Sequence, residues 1–246
     1  MARTLSIVTV LAVALAAAPA QAKCARVLLV PQVLTHPGDP IPKNGGILVG
    51  WDETTDGSAE RYEGHDPAVN PDWIVMTGPR RQRPKIEVLA PGLAVYRARP
   101  VAGGRGRSLV LREGGAKLGT WTATTKTAAK LATAPRARAI TTTTTQSTGG
   151  RGPREITVTS LALDAPAPTS AAAVIAYRVV AGQATPIAWA RVAPGRPDPI
   201  ELYSSPGRCS SEPDGLIAPQ PGEQVALAWV DSVGNLSPRS APIAVR

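Results

Sequence analysis

Glu223-Gln224-Val225-Ala226-Leu227-Ala228-Trp229-Val230-Asp231 alternates large and small apolar side chains, and Ser232-Val233-Gly234-Asn235 follows it. A period of two puts Val225, Leu227 and Trp229 on one face of a β-strand, facing the core. The Gly-Asn pair supplies a turn, and Leu236 to Val245 returns as the final strand. Working backwards, the same short apolar alternation recurs between Pro, Gly, Asp and Asn, with no amphipathic run at helical spacing after the first residues. It predicts strands near 139–145, 154–163, 172–181, 185–192 and 199–203. Towards the N-terminus it predicts strands near 26–34, 46–51, 73–77, 85–89, 93–99, 108–112 and 118–124. The chain therefore reads as all-β, in two sets of seven strands.

Composition agrees with a folded chain. Of 246 residues, 25 are Pro and 23 are Gly, below the roughly 25–30% share that marks low-complexity disorder. Apolar residues make up 43%, with five Trp, four Tyr and no Phe. Val, Leu, Ile and Ala must fill the cores, and the tryptophans supply the large volumes. The Thr141 to Thr145 run reads as a half-exposed edge strand, since β-branched Thr suits a pleated surface.

The first 22 residues divide into a basic start at Arg3, an apolar run from Ile7 to Ala18 and a small-residue end, Pro19-Ala20-Gln21-Ala22. This is the pattern of a secretory signal peptide cut after Ala22. The apolar run is shorter than the roughly 20 residues a spanning helix needs, and none like it follows, so no membrane span is expected. The expected address is the periplasm or outside the cell. Cys24 close to the cut raises a lipoprotein alternative, against which Lys23 stands where a small side chain is expected. Cys24 and Cys209 are the only cysteines. In an oxidising compartment they are expected to form a disulfide, with free thiols or a bond to another chain as the rival readings.

The C-terminal hairpin resembles the last hairpin of bacterial fibronectin type III domains: an apolar strand, Val-Asp-Ser-Val-Gly-Asn at 230–235, and Ser-Ala-Pro-Ile-Ala-Val at 240–245. Pro221-Gly222 fits that family's corner, but Val225 stands where the family places a Tyr, which removes the tyrosine-corner hydrogen bond. Pro40 to Gly46 before Ile47-Leu48-Val49 resembles the opening of bacterial immunoglobulin-like domains, and Pro91-Gly92 followed by Tyr96 looks like a similar corner. The resemblance implies two tandem immunoglobulin-like or fibronectin-type-III-like β-sandwiches, one over 23–124 and the other over 139–246. A linker at 125–138 joins them, and an acidic insertion at 52–72 interrupts the first. It implies a fold and no activity.

Charge is uneven. Residues 52–72 hold seven acids and one Arg, residues 80–138 hold fourteen bases and two acids, and residues 139–246 balance at eight of each. One reading folds the acidic loop over its basic neighbours. The other makes Arg80, Arg81, Arg83, Arg97, Arg99, Arg105 and Arg107 a basic face for an anionic polymer or an envelope protein. Nucleic acid is a poor partner, given export, the lack of a helix-turn-helix pattern and the few aromatics.

Asp52, Asp56, Gly57, Glu60 and Glu63 approach a calcium-loop spacing, with Thr54 breaking it. His36, His65 and Met76 bring copper carriers to mind, behind calcium, although Lys23-Cys24 occupies the place of their N-terminal histidine. Neither metal is assigned, and no cofactor is expected. The chain contains no GxSxG, SxxK, HExxH, CxxC or phosphate-binding loop, and no catalytic residue is assigned. Trp51, Trp73 and Trp121 would form a sugar-stacking platform only if exposed together; as core residues they would not. The expectation is a non-catalytic binding or scaffolding protein of the bacterial envelope. Its alternatives are a carbohydrate-binding or enzyme-accessory protein, and a metal binder acting through the acidic loop.

Overall fold

The structure is a computed structural model that describes residues 28–54, 74–77, 80–82, 84–97, 108–113, 116–147, 154–192, 199–206 and 218–246. Among these residues there is no helix, so none that would cross a membrane, and the fold is all-β. The N-terminal half supplies β1 (Leu28–Val33), β2 (Pro40–Ile41), β3 (Ile47–Thr54), β4 (Ile74–Thr77), β5 (Arg80–Gln82), β6 (Lys85–Ala90), β7 (Leu93–Arg97), β8 (Ser108–Glu113) and β9 (Ala116–Ala123). The C-terminal half supplies β10 (Ala137–Ser147), β11 (Arg154–Leu163), β12 (Ala171–Val180), β13 (Gln183–Arg191), β14 (Ile200–Pro206), β15 (Gln224–Asp231) and β16 (Ile243–Ala244).

These strands form four sheets, ordered β2-β9-β8-β4-β5, β1-β3-β7-β6, β13-β12-β15-β16 and β10-β11-β14. Three apolar layers lie between them. Ile47, Val49, Ala94 and Tyr96 of the second sheet meet Leu109, Leu111 and Trp121 of the first. Val174, Ala176, Val225, Leu227 and Trp229 of the third meet Ile140, Leu161 and Leu202 of the fourth. The remaining layer joins the halves: Leu48, Leu89, Leu93 and Val95 pack with Ala173, Ile175, Tyr177, Trp189, Ala226, Ala228 and Val230. Residues 47–50 of β3, 93–96 of β7 and most of β12 and β15, the central strands of the two inner sheets, are thus buried on both faces, and the described strands form a stack four sheets deep.

Residue choice along each inner strand explains the stacking. On β15 the large Val225, Leu227 and Trp229 fill the C-terminal core as their alternation predicts, while the small Ala226 and Ala228 face the N-terminal half. On β12, Ala173 sits with Ile175 and Tyr177 on the joining face. Alanine on a pleated surface leaves room for a second sheet to approach, and burial of the surrounding Leu and Val supplies the driving force.

The strands lie within a few residues of where alternation placed them, with four differences. The two-residue β2 and three-residue β5 are too short to show a period. Strand β3 runs on to Thr54, three residues into the stretch read as an insertion, with Asp52 paired to Val30. Pro91-Gly92 is not a corner between sheets but the turn of a hairpin within one, since β6 and β7 pair antiparallel across it.

The last difference concerns the return from Asn235. Only Ile243 and Ala244 form a strand there, because Pro238 and Pro242 have no N–H to donate to a ladder. Ser237 and Ser240 keep the segment beside β15: their hydroxyls accept the Trp229 and Leu227 N–H groups, each at 2.9 Å, and their own N–H groups donate to the Trp229 and Leu227 carbonyls.

Candidate functional site

Among the described residues, side-chain hydrogen bonds concentrate where the turn after β15 enters the N-terminal half. Asp231 makes this possible. Its carboxylate is buried and accepts the Val233 N–H at 3.0 Å, the Asn235 N–H at 2.7 Å and the Asn235 side-chain amide at 2.9 Å. The turn is thereby held in one shape before it meets its neighbour. Val233 at its tip is buried in the core of the opposite half, among Ile47, Tyr96 and Trp121. Gly234 has a φ of +82°, and a side chain there would collide with Val95.

Polar bonds seat the same turn. The Gly46 N–H donates to the Val233 carbonyl at 2.9 Å. Thr35, fully buried, donates its hydroxyl hydrogen to the Ser232 carbonyl and accepts the Leu48 N–H at 2.8 Å. The Asn44 amide reaches Asn235 at 3.4 Å, while its oxygen accepts the Ala128 N–H at 2.8 Å. Arg97 donates to the Asn44 carbonyl at 2.6 Å and pairs with Glu87 at 2.7 Å. Buried polar groups tolerate burial when their partners are all supplied, and such networks fix one arrangement.

The stretch expected to be a linker contains no helix and is tied to both halves. Lys43 N–H donates to the Lys126 carbonyl at 2.8 Å, Ala128 packs on the N-terminal core, and Leu131 is buried in the C-terminal core. Arg239 lies 4.6 Å from the centre of the ring of Tyr177, a member of the joining layer. Burial raises the Tyr177 phenol above its ordinary pKa of 10.0, against the opposing charge and hydrogen bond of Arg239.

The residues singled out from the sequence are distributed as follows. Cys24, Cys209, His65, Trp73, Arg83, Arg99, Arg105, Arg107, the signal segment 1–22 and residues 55–72 of the acidic stretch lie outside the described residues. Trp51 and Asp52 fall on β3, Met76 on β4, and Arg80 and Arg81 on β5. His36 is exposed, and its carbonyl accepts the Trp121 indole N–H at 2.8 Å. Trp121 itself is buried in the N-terminal core, as a core residue rather than part of a stacking platform. Trp189 and Trp229 are likewise buried. Arg97 is committed to Glu87 and Asn44, which separates it from a freely exposed basic face.

Sequence reasoning missed the joining layer, with Gly50, Val95 and Trp189, and the insertion of Val233 into the N-terminal core. A signal for it exists. Ile47-Leu48-Val49, Leu93-Ala94-Val95-Tyr96 and Ala171 to Tyr177 are continuous apolar runs, the mark of strands covered on both faces. No protein-family model matches the chain, and no curated protein matches it.

Proposed function

We propose that the protein is an exported, non-catalytic binding or scaffolding protein of the bacterial envelope, built from an immunoglobulin-like half and a fibronectin-type-III-like half. Strand order supports the two family likenesses. Leaving aside the short β2 and β5, the first seven strands pair as first-second-fifth-fourth against third-sixth-seventh, the arrangement of immunoglobulin constant-type domains. In the second set the fourth strand, β13, pairs with the third instead, giving a three-stranded and a four-stranded sheet. That order fits the fibronectin resemblance of the last hairpin.

The observation that carries the scaffold reading is the apolar layer between the halves. A linked pair of sandwiches usually moves about its linker; here the halves share buried Leu, Val and Trp side chains and an inserted hairpin. A body of this kind holds its two outer sheets at a fixed separation, which suits presentation and spacing more than chemistry. Partner contact is assigned to the basic face of the N-terminal half, with Arg80, Arg81, Arg83, Arg99, Arg105 and Arg107 and without the committed Arg97, toward an anionic polymer or an envelope protein, with Cys24 and Cys209 as the proposed disulfide.

The test is expression of the whole reading frame in a bacterial host, followed by fractionation and N-terminal sequencing. A processed envelope form beginning at Lys23, with one disulfide by mass, is the expected result. A protein that stays cytoplasmic with its first 22 residues attached overturns the reading.

A further inference from the structure

Four sheets have eight edge strands, and seven of them carry a feature that discourages pairing with another chain. Strand β1 contains Pro31, β2 is two residues long and begins with Pro40, and β5 is three residues with Arg80 and Arg81. Strand β6 has Lys85, Glu87 and a bulge, and β13 has Pro186. Strand β14 has Glu201, a register shift against β11 and Pro206, and β16 is two residues long after Pro242. Natural sheets block their edges in just these ways.

Strand β10 is the exception. It is eleven residues long, and residues 139–150 contain no charge and no proline. Its outer edge is used as far as Thr142: the Thr142 N–H donates to the Arg246 carbonyl and the Arg246 N–H to the Ile140 carbonyl, each at 2.9 Å. Backbone groups alternate sides along a strand, so the N–H and C=O of Thr144 and Gln146 point to that same outer side. Among the described residues nothing pairs with them.

We propose that this edge pairs with the same edge of a second copy, antiparallel about a two-fold axis at Thr145. The occupant follows from the chemistry of the edge. An isologous contact requires a self-complementary patch. In a chain of net charge +9 this segment carries no charge to repel its own copy. Threonine already pairs with threonine across this sheet, Thr142 with Thr159 at 2.9 Å and Thr144 with Thr157 at 3.1 Å.

The register is determined by the unused groups. Placing Thr144 opposite Gln146 of the copy uses both N–H groups and both carbonyls on each chain, and it sets Thr145 opposite itself as a non-hydrogen-bonded pair. Centring on Thr144 would set Gln146 opposite Thr142, whose N–H already donates to Arg246, and would leave the Gln146 carbonyl unused. The product is a continuous six-stranded sheet, with a small interface and hence a weak dimer.

Sedimentation of the purified protein over a range of concentrations tests the association, and cysteine pairing tests the register. Opposite residues of a non-hydrogen-bonded pair lie about 4.5 Å apart at Cα, within disulfide reach. Thr145→Cys is expected to give a disulfide-linked dimer joined at position 145 by peptide mapping. Thr141→Cys, equally exposed on the same strand, is expected to give at least tenfold less. Gln146→Pro removes an outward N–H without touching the β11 ladder or the Thr144–Thr157 bond, and Thr145→Lys places like charges at the axis. Each is expected to weaken association at least tenfold with an unchanged melting temperature. A protein that stays monomeric at every concentration, equal linkage at 141 and 145, or undiminished association of Thr145→Lys would each overturn the proposal.

Discussion

The benzo ring of Trp189, on β13 of the C-terminal half, lies over Gly50 on β3 of the N-terminal half, in the space a Cβ would occupy. Glycine at 50 is thus a packing choice: its missing side chain admits the largest side chain of the joining layer. Gly50→Ala must push the ring or bend the strand, and overpacking of this kind costs about 1–3 kcal/mol. Urea denaturation is expected to show that loss. Trp189→Leu in the same chain is expected to recover part of it, giving a non-additive double-mutant cycle.

Asp231 holds the turn after β15 in one shape. Three donors converge on its carboxylate, and Asp231→Ala leaves them without that acceptor at a cost of about 2–4 kcal/mol. Val233→Asp, which puts a charge into the N-terminal core from a residue encoded in the C-terminal half, is expected to be at least as damaging. Thermal melts followed by Trp fluorescence measure both. A Val233→Asp protein as stable as the native one would contradict the insertion of the hairpin.

A shared layer has a thermodynamic consequence. The two halves are expected to unfold in one transition, with calorimetric and van't Hoff enthalpies equal for the whole chain. Ala228→Leu, which enlarges a side chain buried between the inner sheets, is expected to lower that single transition or split it in two. Two resolved transitions in the native protein would count against the shared layer.

Tyr177 carries the pH dependence. Its phenol is raised above 10.0 in the folded chain by burial, so the unfolded chain gives up its proton first. The contribution to stability is complete below pH 10.0 and is lost as pH rises through that value towards the folded pKa. Tyr177→Phe removes the titration. The stability gap between native protein and variant is expected to narrow as pH rises through 10.0, measured as urea midpoints.

Particular residues show how far the chain could be read in one dimension. Val225, Leu227 and Trp229 announced their face because large and small alternate there. Thr141 to Thr145 announced an edge strand because β-branched polar residues suit little else. Pro91-Gly92 misled, because a Pro-Gly pair is equally suited to a corner between sheets and to a hairpin within one; only the pairing of β6 with β7 distinguishes them. The return strand after Asn235 is shorter than its sequence suggests, because the serine hydroxyls that replace its ladder bonds leave no periodic trace.

Local alternation and turn chemistry were enough to determine an all-β chain, the position of most strands and which face of β15 is large. What only the tertiary structure decided is that the small face is buried too. Ala226, Ala228 and Gly50 are equally at home facing solvent or another sheet, since a side chain with little or no volume has no strong preference of its own. The role of Ala226 and Ala228 depends on Leu48 and Val95, and that of Gly50 on Trp189, all far away along the chain, and the seating of Val233 depends on the bonds that Thr35 and Gly46 make to the Ser232 and Val233 carbonyls. Periodicity reports on the residue and its near neighbours; the joining of two halves is a property of surfaces brought together from across the chain.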